Sequence, residues 1–156
     1  MAWTVSNCSG AGISALIGGT FYGTGQTYSG DTINVALYNN TGTPNKDDTF
    51  AHNAYGNAGG AWATGNEITG TGYTAGGNAL GTKTNSEASG LVSVGGANTS
   101  WTSATFSGTF GDLVYDNTIT NKNAYCWNYF GGTQSVTSGT FTIAWSSGNV
   151  FTVTIS

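Results

Sequence analysis

Side-chain alternation with a period of two dominates this chain, and no window of helical length carries a 3.6-residue period. In Thr32-Ile33-Asn34-Val35-Ala36-Leu37-Tyr38, the residues Ile33, Val35 and Leu37 share one face while Thr32, Asn34 and Tyr38 share the other. This reads as a half-buried strand. Residues 140–145 and 150–155 alternate likewise, and Ser146-Ser147-Gly148-Asn149 between them supplies the positive-φ residue that a tight turn needs. The expectation is an antiparallel hairpin over residues 140–155. Residues 124–130 place Tyr125, Trp127 and Tyr129 on one face and Cys126 and Phe130 on the other. With both faces apolar, that strand should lie centrally between two packed layers. Residues 106–115 give one or two further strands, with Gly108 and Gly111 marking a bulge or a close backbone approach, and 91–94 a short one ended by Gly95-Gly96. The pattern predicts an all-β chain: a single antiparallel β-sandwich domain over 16–156, jelly-roll or immunoglobulin-like, with long Gly-rich loops and an N-terminal arm at 1–15.

Composition narrows what such a fold can do. Only 6% of the 156 residues are charged, against about 25% in an average domain, which excludes a coiled coil, a charge-laced bundle and an acidic tail. There is no arginine, and Lys46, Lys83 and Lys122 cannot neutralise a run of phosphates, so no nucleic-acid partner is expected. Apolar area must come largely from 5 Trp, 8 Tyr and 7 Phe. Residues 1–7 lack a basic stretch followed by an apolar one, so no signal peptide is expected, and no apolar run approaches membrane-spanning length. Cys8 and Cys126 are too few and too far apart in sequence for a zinc site or a disulfide framework. A bridge between them stays open beside the simpler expectation of two free thiols.

Residues 41–66 run through many glycines with few aliphatics, too long for a structureless loop in a compact domain. Order there has to come from another chain or from the segment's own Phe50, Tyr55 and Trp62. Residues 1–30 and 123–156 carry no charged side chain, so part of that surface should be covered by neighbours, and a homotrimer is expected. Trp3 and Val5 in the arm, with Phe50, Tyr55 and Trp62 in the excursion, are the candidate interface anchors.

Catalytic chemistry finds little support. His52 is the single histidine, and no nucleophile-elbow pattern surrounds any serine. The seven carboxylates show no spacing that picks out an acid–base pair. Asp112 and Asp116 would lie roughly 13 Å apart on one strand, too far to share an ion. Asp47 and Asp48 do not complete a calcium ligand set, and the Gly clusters precede no phosphate-binding Lys-Ser/Thr pair. The expectation is no enzyme, no cofactor and no metal. Aromatics beside amides also suit a carbohydrate-binding face, but core and subunit packing use the same residues more often.

Residues 72–80 (Gly-Tyr-Thr-Ala-Gly-Gly-Asn-Ala-Leu), Trp101 with Thr105-Phe106, Leu113-Val114-Tyr115-Asp116, and residues 130–143 from Phe130-Gly131-Gly132-Thr133 to Ile143 follow one another in an order that resembles a family of small structural proteins of tailed bacteriophages and their prophages. Residues 32–37 resemble that family's first core strand, and the likeness spans about residues 14–156. The chain departs from the pattern in having few acids around Trp101. The resemblance implies a virion component without enzymatic activity, first a capsid decoration (cement) protein bound to the major capsid protein on the head surface after assembly in the host cytoplasm. A tail or fibre component that binds glycans at the host surface is the alternative.

Overall fold

A computed structural model describes residues 3, 5–9, 27–49 and 51–154. The protein is an all-β sandwich of two antiparallel sheets. Its strands are β1 (Asn7–Cys8), β2 (Ile33–Tyr38), β3 (Gly70–Thr71), β4 (Asn78–Ala79), β5 (Thr84–Ala88), β6 (Leu91–Gly95), β7 (Thr99–Asp116), β8 (Ala124–Ile143) and β9 (Asn149–Thr154). The main sheet runs β1-β8-β7-β2-β4, with β3 also on β7, and the smaller sheet runs β5-β6-β9. No helix among the described residues is long and apolar enough to cross a membrane.

The centre of the main sheet, β2 with residues 111–116 of β7 and 124–127 of β8, is buried on both faces, for different reasons. Toward the smaller sheet, Ile33, Val35 and Leu37 of β2 and Val114 of β7 pack with Val94, Trp145 and Val150. On the opposite face, Ala36, Tyr38, Leu113, Tyr115 and Trp127 pack with Trp3 and Trp62. β2 is therefore not half-buried as its alternation suggests; Tyr38 is as buried as Leu37 because the 39–66 excursion covers the second face. Trp62 anchors that cover. Its ring meets Trp3, Tyr38 and Trp127 with centroids 5.4, 5.2 and 5.5 Å away, and its indole N–H donates to Asn53 Oδ1 at 3.2 Å. The excursion is thus ordered by the chain's own side chains.

Two register details correct the sequence reading. Val114 faces Cys126 while Tyr115 faces Ala124, so Tyr125 is an extra residue in β8. This bulge turns Tyr125 to the Cys126 side, into the core between the sheets, and leaves Trp127 on the other face. The hairpin expected over 140–155 does not form. Phe141 and Ile143 already pair with Trp101 and Thr99 of β7, and β9 pairs with β6 in the other sheet. Trp145 directs the crossing: its backbone N–H donates to Asn98 Oδ1 at 3.1 Å and its indole N–H to the Ala97 carbonyl at 3.0 Å. The turn that follows does use positive φ, at Ser147 (52°) and Gly148 (74°), but to carry the chain between layers.

Candidate functional site

The excursion is fastened to the sheet through one buried carboxylate. Glu67 follows the 3-10 turn Thr64–Asn66 and accepts hydrogen bonds from Tyr55 Oη at 2.9 Å, Tyr73 Oη at 2.6 Å and the Gly76 N–H at 2.7 Å. Tyr115 Oη donates to the Gly76 carbonyl at 2.9 Å, and Tyr55 stacks on Tyr115 with 4.5 Å between centroids. Burial, with Glu67 adding to it, pushes the hydroxyls of Tyr55 and Tyr73 above the usual phenol range. These tyrosines stay protonated as donors. Three donors on one carboxylate compensate its desolvation, so the group works as a clasp between loop and sheet. Sequence reasoning missed Glu67, because an isolated acid in a Gly-rich stretch looks solvated until the tyrosines that converge on it are placed.

The remaining acids divide sharply. Asp31, Asp112 and Asp116 are buried along with Glu67. Asp112, on β7, accepts from Asn128 Nδ2 at 2.9 Å, and burial pushes its carboxyl up to about 7 against the pull of that hydrogen bond. Asp116 is pushed up to about 6 by burial and by the nearby Asp31, while the Thr118 N–H holds it down. His52 sits on the excursion with Nδ1 at 3.0 Å from Asp48 Oδ1. Among the described residues, no three of His, Cys, Asp and Glu gather where one ion could bind them.

The expected interface anchors are placed differently from the sequence reading. Trp3 is 3% exposed and Trp62 0% exposed, so both indoles are spent inside the protein's own core. Trp3 fits because Gly111 has no side chain: a Cβ there would collide with the indole ring. Its backbone N–H donates to Asn40 Oδ1 at 3.0 Å, and Ser6 Oγ accepts from the Tyr129 N–H at 2.9 Å. Trp3 and residues 6–8 are therefore docked on their own domain. The boundary expected at residues 15 and 16, and Phe50, lie outside the described residues. Tyr55 is half-buried in the Glu67 clasp, and Val5, at 56% exposed, is the expected anchor that faces solvent.

A surface concavity of about 650 Å³ opens beside the bulged part of β8. Tyr129, Phe130, Phe141 and Trp145 line it with the amides of Asn128, Gln134 and Asn149. A second cleft of about 470 Å³ is lined by Tyr55, Asn57, Asn121 and Asn123. Apolar rings beside neutral amides can bind polyhydroxylated or peptide-like groups; the described residues lining the two clefts include no His, Cys, Asp, Glu or Lys. Compared with known proteins, the chain matches no family model, no curated protein and no solved structure.

Proposed function

We propose that this chain is a non-enzymatic structural protein of a tailed-phage virion, a decoration protein that binds the major capsid protein on the head surface as a homotrimer. The observation that supports the reading most is where its charge lies. Four of the seven acids are buried, leaving Asp47, Asp48 and Glu87 to balance the three lysines at the surface. A surface with near-zero net charge promotes association and discourages life as a dispersed monomer. Rows of neutral hydroxyls, as along Thr133–Ser138, suit repeated docking on many equivalent sites without long-range charge repulsion between neighbours. Purified protein mixed with heads that lack it, from the phage or prophage carrying the gene, should co-sediment with them. Electron microscopy should then place its density on the shell. Light scattering of the isolated protein tests the trimer. Density at the tail alone would overturn the head assignment.

The aromatic and amide concavity favours a second reading, a tail or fibre component that holds host-surface glycan. Stabilisation of the isolated protein by a bacterial surface polysaccharide, abolished by Phe141→Ala, would select that reading over the first.

A further inference from the structure

We propose that Cys8 and Cys126 form an intramolecular cross-strand disulfide that staples the N-terminal segment to the centre of the main sheet once the protein meets an oxidising environment. The two are directly opposed in the β1/β8 ladder. Their place in it can be identified, because the Ser9 N–H donates to the Tyr125 carbonyl at 3.2 Å, which brackets Cys8 and Cys126 as a non-hydrogen-bonded pair. At such positions the Cα atoms approach to about 4.5 Å and the side chains lie on the same face. That distance is at the short end of the range a disulfide spans, about 4.4–6.8 Å. Both thiols are free, Cys126 buried and Cys8 half-buried against the same core cluster. A surface cleft of about 250 Å³, lined by both cysteines with Ser6, Asn128 and Phe151, gives a small reagent access.

The reaction is thiol–disulfide exchange with a low-molecular-weight disulfide. The Cys8 thiolate attacks one sulfur of R–S–S–R, breaking that bond and releasing RS⁻. The Cys126 thiolate then attacks Cys8 Sγ in the mixed disulfide and expels the second RS⁻. The two protons lost by the cysteines convert the leaving groups to RSH, so the protein dithiol is oxidised by two electrons and R–S–S–R is reduced to two RSH. Burial pushes the Cys8 thiol up to about 11, and Cys126 is raised by burial, by Cys8 and by Asp112. Exchange should therefore be slow at neutral pH and quicken about tenfold per pH unit from about 7 to 9. The inference does not rest on the virion reading.

The test uses the whole protein, purified reduced and held in graded mixtures of glutathione and glutathione disulfide. Expected are loss of two hydrogens in intact mass, a peptide joining Cys8 to Cys126, and a midpoint of thermal unfolding higher by about 5–15 °C, given the long loop closed. A thiol reductant should reverse all three. Cys8→Ser, at the half-buried position, should keep the fold and lose the shift, and Cys126→Ala serves as a second control against a folding defect. The proposal is overturned if both thiols remain alkylatable in excess glutathione disulfide at about pH 8.5. It is equally overturned if the end product is a persistent glutathione adduct on Cys8 or a disulfide-linked dimer.

Discussion

Asp112 shows what burying acids costs the protein and how that cost can be read. Its carboxyl is fully buried, one oxygen is held by Asn128 and the other has no hydrogen-bond partner. Because its value in the fold, about 7, exceeds the unfolded value of about 3.8, the folded state binds the extra proton between those limits. Stability should then fall as pH rises from about 4 to 7, with Asp116 adding in the same direction up to about 6. A loss of several kcal/mol, about 4 from Asp112 alone, is expected across that window in urea unfolding. Asp112→Asn should flatten much of the slope and raise stability above the parent at pH near 8, and an unchanged slope would remove Asp112 as its source. Trp3 supplies the second prediction at this scale. Trp3→Ala leaves a void beside Trp62 and should cost about 3–5 kcal/mol by chemical unfolding. Gly111→Ala should reach a similar state from the other side by forcing the indole out, seen as a red shift in tryptophan emission.

At the scale of elements, the N-terminal strand carries a prediction of its own. Deleting residues 2–9 removes Trp3 and strips β1 from the edge of β8, leaving the Trp62 and Trp127 rings and the backbone of β8 uncovered. The truncated protein should unfold at lower urea and aggregate; a variant as stable as the parent would mean that the segment is not docked. The same elements show how much could be read beforehand. β2 and residues 106–115 of β7 and 124–130 of β8 were legible from period two, and β6 from its short apolar run, but that β7 starts at Thr99 and β8 runs on unbroken to Ile143 was not. β5 was not: every residue of Thr84–Ala88 is exposed, so no apolar alternation exists to find. Its turn did leave a signal, since Ser89-Gly90 takes positive φ at both positions (54° and 79°), the geometry of a two-residue hairpin loop. In the C-terminal alternation, 150–155 was read as a strand, as β9 is, but 140–143 is the end of β8 and not a strand of its own, and the two are not partners, because alternation fixes which face a residue takes but not which sheet it joins. The Glu67 clasp and the Cys8–Cys126 register depend on pairings between distant segments, for which local pattern carries no information.

For the whole molecule, the decisive quantity is a charge balance that composition conceals. The sequence has a formal net charge of −4, yet the four acids behind that excess lie in the interior, and the surface carries three lysines against three acids. Two of those six, Lys46 and Asp47, already pair at 2.6 Å, and Lys122 lies 5.1 Å over the Tyr55 ring. Little unpaired charge is left to attract a partner at a distance. Salt screens interactions between exposed charges, with a Debye length near 10 Å at 0.1 M falling to about 3 Å at 1 M, but leaves apolar and neutral hydrogen-bonded contacts largely intact. If the protein docks on a capsid through this surface, binding should then be nearly indifferent to salt. Titrated onto heads that lack it, its dissociation constant should change by less than about threefold between about 50 and 500 mM NaCl, and its association rate should fall in the range of about 10⁵–10⁶ M⁻¹s⁻¹ expected without electrostatic steering. A tenfold weakening over the same range would mean that the contacts are ionic, which the six surface charges cannot readily supply, and would overturn this account of docking through a neutral surface.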